Sequence, residues 1–232
     1  MLGNIVLLVV SWLLLRLEGR SLSVLGVSPS LLRALELLLG FLATLSLAMW
    51  LSYLFAFLAN FEWVPVPGLG MGFIFEGLHK TLQSVLFEEL IFRGYLLYRL
   101  LALVGERKGT LLSAAAFGGY HWFTLGVLGN ATLMIWVLVY TGLWGLMFAY
   151  AYTRTGSLAL PIGLHWGWNV VDQLLYNERG GSLFIALTSV HTRYLSSLES
   201  MFWLKLPAIA FAVTIIVLLS QHTLPAKFSK PS

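Results

Sequence analysis

Cysteine is absent from this 232-residue chain, and charge is scarce, with Asp, Glu, Lys and Arg together making up 10% of it. The first absence excludes disulfides, thiolate metal sites and a cysteine nucleophile. The second excludes a soluble enzyme, a disordered chain or a nucleic-acid reader, since an ordinary soluble domain carries about 25% charged residues. Asp172 is the only aspartate, so two catalytic aspartates cannot meet within one chain. No His-Glu-x-x-His, Gly-x-Ser-Gly or Gly-x-x-x-x-Gly-Lys segment occurs. That removes the zinc helix of metalloproteases, a serine nucleophile of that type and a nucleotide phosphate loop.

What is present is apolar surface. Hydrophobic residues account for 59% of the chain, and the mean hydropathy is +0.85. This is the composition of an integral membrane protein. Runs long enough to cross a bilayer are read near residues 2–16, 34–59, 78–103, 110–129, 131–152, 157–176 and 201–220. The first is short and lacks the basic start and small-residue cleavage site of a removable signal peptide. Residues 60–77 carry Pro65, Pro67, Gly68, Gly70 and Gly72 and are expected to form a loop. Residues 177–200 are expected to be a long loop or a surface helix. The expected fold is all-α, a transmembrane bundle of about seven spans around a polar cavity. It forms one integral membrane domain over residues 1–232, with its motif-bearing core at 78–176.

Charge then orients the bundle. Arg16, Arg20, Arg33, Arg99, Arg107, Lys108, Arg154, Lys227 and Lys230 fall on one side if all seven runs span, and Lys80, Arg179, Arg193 and Lys205 on the other. Basic residues mark cytoplasmic loops. The expected protein is therefore multi-pass, in the plasma membrane, with an outside N-terminus and a cytoplasmic C-terminus.

Ionisable residues inside apolar helices are the informative ones, because a charge at the bilayer centre costs at least about 2.5–3.5 kcal/mol. The third run holds Glu88, Glu89 and Arg93. Glu89 and Arg93 are four apart and can pair on one helix face. Glu88 is rotated about 100° away and faces something else. Two acids with one base leave a net negative charge that calls for a further partner. The fourth run puts Phe117 and His121 on one face, and the sixth puts His165 and Asn169 one turn apart. Trp122, Trp166 and Trp168 stand beside these faces and are expected to wall the cavity. Gly163 and Gly167, four apart, allow a neighbouring backbone to come close.

Taken in order, Glu88-Glu89-x-x-x-Arg93, Phe117-x-x-x-His121 and His165-x-x-x-Asn169 resemble the three motifs of the CAAX protease and bacteriocin-processing family, also called CPBP or Abi. The resemblance covers roughly residues 80–176 and implies an intramembrane glutamate endopeptidase. It implies that Glu88 activates a water with help from His121, while His165 and Asn169 donate to the developing oxyanion. Glu89, Arg93 and Phe117 would support the site. The implied partner is a peptide or protein substrate, soluble or lipidated at its C-terminal tail, reaching the site from the cytoplasmic face. No cofactor is expected; a zinc ion on Glu88, His121 and His165 is the less favoured alternative. Two other classes fit the same polar faces. One is a proton-coupled transporter or channel, and the other a catalytically silent scaffold or immunity protein of the same fold.

Overall fold

The longest apolar run folds as a 29-residue helix, and its ends follow from local chemistry. Numbering helices in chain order, α1 is Leu2–Leu17 and α2 is Leu31–Ala59. Ser30 caps α2 by accepting from the Arg33 amide, and Asn60 ends it in the left-handed region at φ 57°. A computed structural model describes residues 2–176, 181–222 and 225 of the chain. The remaining helices are α3 (Met71–Phe92), α4 (Tyr95–Val104), α5 (Glu106–Thr124), α6 (Ala131–Thr155), α7 (Ala159–Asn169) and α8 (Ser197–Ser220). A π-wound stretch, Val170–Leu175, extends α7, and another, Met201–Lys205, lies within α8.

Three of these helices, α2, α6 and α8, are long and apolar enough to cross a membrane. α1 is apolar but has 16 residues, about 24 Å of helix against a hydrocarbon core of about 30 Å. The outward faces of α2, α6 and α8 expose Leu39, Trp50, Ile135, Val139, Val213 and Val217, while Glu89 and Arg93 are fully buried. This distribution, apolar outside and ionic inside, suits lipid as the solvent.

The run expected at 78–103 is not one helix. It starts earlier, at Met71, and breaks after Phe92 into α3 and α4. At the break a Cβ on Gly94 would sit 2.2 Å from the Leu90 carbonyl oxygen, so only glycine fits this turn. The expected loop at 60–77 shortens to residues 60–70. It contains β1 (Glu62–Pro65), which pairs antiparallel with β2 (Phe184–Leu187) in the segment before α8. This two-strand ribbon is the one addition to an otherwise helical architecture among the described residues.

α2 and α7 are in backbone contact. A Cβ on Gly163 would lie 2.2 Å from the Leu37 oxygen, and one on Gly167 would lie 2.1 Å from the Phe41 oxygen. The small-residue pair therefore sets the helix separation. Helix directions then sort the charges between two ends of the bundle. At one end Glu18 meets Arg99 at 3.5 Å, Glu106 meets Arg154 at 2.5 Å, and Gly26, leading into α2, abuts Gly156. This end carries Arg16, Arg20, Arg33, Arg99, Arg107, Lys108 and Arg154. At the other end Arg193 donates to the Leu58 carbonyl at the close of α2, and Lys205 lies 5.2 Å over the Tyr140 ring. Arg179, Lys227 and Lys230, also used to orient the chain, lie outside the described residues.

Candidate active site

The aromatic core at the centre of the bundle joins Phe92, Phe117, Trp144, Met147, Phe148 and Leu164 from α3, α5, α6 and α7. Above it opens a cavity of about 1180 Å³, lined by Glu88, His121, His165 and Asn169 from three helices. Phe117, Tyr120, Phe148 and Trp168 complete its floor and walls. Of the three tryptophans expected to wall it, Trp168 does so. Trp122 and Trp166 turn away, their indole N–H groups donating to the Met134 carbonyl and to Thr81 Oγ1.

Glu89 and Arg93 do not line the cavity; both are 0% exposed. Glu89 Oε1 accepts from Arg93 Nη1 at 3.2 Å, the pairing that the i,i+4 spacing predicts. The same oxygen lies 2.9 Å from His165 Nδ1. A carboxylate only accepts, so that imidazole nitrogen carries the hydrogen. Arg93 Nη2 donates to the Gly145 carbonyl at 2.9 Å, and its guanidinium carbon sits 4.3 Å over the Phe117 ring. A cation so buried needs every one of these partners.

His165 is therefore held from two sides. Its Nδ1 is bound to Glu89, and its ring stacks on Phe148 with centroids 4.9 Å apart and planes 17° from parallel. Its other nitrogen, Nε2, stands 3.8 Å from Glu88 Oε2, too far for a direct hydrogen bond. Among the described residues nothing hydrogen-bonds Glu88 Oε2. His121 Nδ1 donates to the Phe117 carbonyl one turn back at 2.8 Å. In the neutral ring that leaves Nε2 as the lone-pair nitrogen. Asn169, 8% exposed, lines the cavity one turn beyond His165 and carries a donor and an acceptor together. Asp172 is exposed at the rim.

Four contributors went unread in the sequence. The Gly145 carbonyl and the Phe148 ring are backbone and packing partners from α6, a helix without a charged motif at that depth. Nothing in their residue types marks them. Lys80 and Ser84 also line the cavity. They precede Glu88 by eight and four residues, so helical periodicity alone puts them on its face. Among the described residues no group of three His, Asp or Glu side chains is disposed to hold a metal ion.

No curated protein and no solved structure matches the chain. One segment does find a family, and it contains Glu88, Glu89, Arg93, Phe117, His121, His165 and Asn169. Residues 70–171 match the family model of the type II CAAX prenyl endopeptidase Rce1-like proteins, a family of membrane proteases.

Proposed function

We propose that the chain is an intramembrane endopeptidase in which Glu88 is the general base. The observation that carries this reading is the division of the buried polar groups. Glu88, His121, His165 and Asn169 face one cavity, while Glu89 and Arg93 are sealed behind it. A carboxylate at the wall of a polar cavity is a natural seat for water. Glu88 takes a proton from that water, with the His121 Nε2 lone pair helping to orient it. The oxygen attacks the peptide carbonyl carbon, and the carbonyl oxygen becomes an oxyanion. Asn169 and His165 donate to it. The proton on Glu88 then passes to the amine nitrogen as the C–N bond breaks.

The geometry adds a condition to the role of His165. Its Nδ1 hydrogen is engaged by Glu89, so it donates from Nε2 only when both nitrogens are protonated. Two acids, one guanidinium and one imidazolium then sum to zero charge. His165 is thus the further partner that the Glu-Glu-Arg motif called for.

Metal-free chemistry is part of this proposal, with Glu88 acting on water rather than ligating an ion. The cytoplasmic side is assigned to the basic end of the bundle, toward which α8 runs, giving a cytoplasmic C-terminus. The test is mass spectrometry of membrane and secreted peptides from cells expressing wild type or Glu88→Gln. Peptide fragments that vanish in Glu88→Gln support the reading. Identical peptide profiles at equal expression would overturn it.

A further inference from the structure

The cavity is open at one end of the bundle and closed at the other. Its exposed lining residues include Glu76 and Lys80 on α3, Thr124 at the close of α5, and Asp172 and Gln173 beyond α7. All lie at the end away from the basic cluster. Lys80 precedes Glu88 by eight residues, which sets Glu88 about 12 Å down the helix from the rim. Toward the basic end the floor is solid. Glu89 and Arg93 are 0% exposed, Phe148 is 1% exposed and Phe117 is 2% exposed.

The two ends differ in the charge that orients membrane proteins. The closed end carries Arg16, Arg20, Arg33, Arg99, Arg107, Lys108 and Arg154, whereas the open end carries Lys80, Arg193 and Lys205 among the described residues. Disregarding the short α1 with Arg16, and Arg20 just after it, leaves the majority unchanged. Lys and Arg near span ends are retained on the cytoplasmic side, and acidic residues count for little.

From these two observations we infer that the cavity opens on the non-cytoplasmic face, and that the substrate is a segment of an exported or outward-facing membrane polypeptide. The inference rests on the peptidase reading for its substrate and on charge and cavity shape for its side. It departs from cytoplasmic access by a lipidated tail, which the family resemblance implied. A tail on the cytoplasmic face would meet the Arg93–Glu89–Phe117 floor rather than Glu88. A polypeptide arriving from the other face meets the polar rim first and reaches Glu88 without crossing the bilayer.

The cysteine-free chain makes the side directly measurable. Gln173→Cys and Thr124→Cys place one thiol each at the rim, and Lys108→Cys places one at the basic end. Each is exposed to a membrane-impermeant maleimide on intact cells, then after permeabilisation, and scaled to labelling of the denatured protein. The rim positions should label in intact cells and Lys108→Cys only after permeabilisation. The reverse pattern, equal labelling of all three in intact cells, or rim labelling that requires permeabilisation overturns the inference. Labelling does not depend on turnover, so the same thiols in a Glu88→Gln background should behave alike. A failed peptidase reading therefore leaves the side standing, and a reversed side leaves the Glu88 chemistry standing. The substrate class has its own readout: fragments that depend on Glu88 should map to exported or outward-facing segments. Fragments from cytoplasmic tails would overturn it.

Discussion

The cavity and the buttress behind it are built from adjacent residues of one helix, yet they obey different rules. On the cavity side, Glu88 has a carboxylate oxygen with no hydrogen-bond partner among the described residues. On the buttress side, Glu89 shares one oxygen between Arg93 and His165, and Arg93 adds the Gly145 carbonyl and the Phe117 ring. The first is a carboxylate at a cavity wall, and leaving its buried oxygen without a partner costs stability. The second is a fully buried network in which each charge meets an opposite one, although Glu89 Oε2 and Arg93 Nε also lack hydrogen-bond partners among the described residues. The proposed base thus has a buried, charge-balancing carboxylate beside it, and a turn of about 100° between successive residues keeps the two apart.

Substitutions at the two acids break this comparison most directly. Glu88→Gln keeps the shape and removes the base, so turnover should fall by about 10²–10⁴. The melting temperature of the detergent-solubilised protein should stay near wild type. Glu89→Gln should do the opposite, destabilising the fold by about 3–5 kcal/mol because Arg93 is left as an uncompensated buried charge. Thermal melts and turnover per folded molecule, measured on both variants, separate the roles. A fold loss in Glu88→Gln with a silent Glu89→Gln would invert the assignment.

Asn169→Ala sharpens the cavity side. If Asn169 donates to the oxyanion, kcat should drop about 10²–10³ with little change in KM. A structural role predicts instead a lowered melting temperature with normal kcat. The smallest effect is expected from chelation. Exhaustive treatment of the purified enzyme should leave activity unchanged, and metal analysis should find no stoichiometric zinc. Activity lost to the chelator and restored by one divalent ion would make Glu88 and the imidazoles ligands.

Several of these features were legible in residue order. The Glu89–Arg93 pair follows from a spacing of four, and the close approach at Gly163 and Gly167 follows from the absence of side chains there. The break after Phe92 was not legible. Leu-rich sequence continues through it, and Gly94 inside an apolar run does not announce a turn whose reason is contact with the Leu90 carbonyl. The β1–β2 ribbon was equally hidden, since its partners are separated by more than a hundred residues and neither strand is long enough to show an alternating pattern.

Composition and periodicity by themselves determined that the chain is apolar and helical, and that the polar groups on three of its helices sit where lipid penalises them. Those properties belong to single helices, where a side chain's direction follows from its position in the repeat. The tertiary structure alone decided that His165 reaches across to Glu89, and at which end the cavity opens. These depend on how helices are rotated and stacked against one another. That arrangement is set by glycine contacts, aromatic packing and carbonyl partners contributed from distant parts of the chain, which no local pattern encodes.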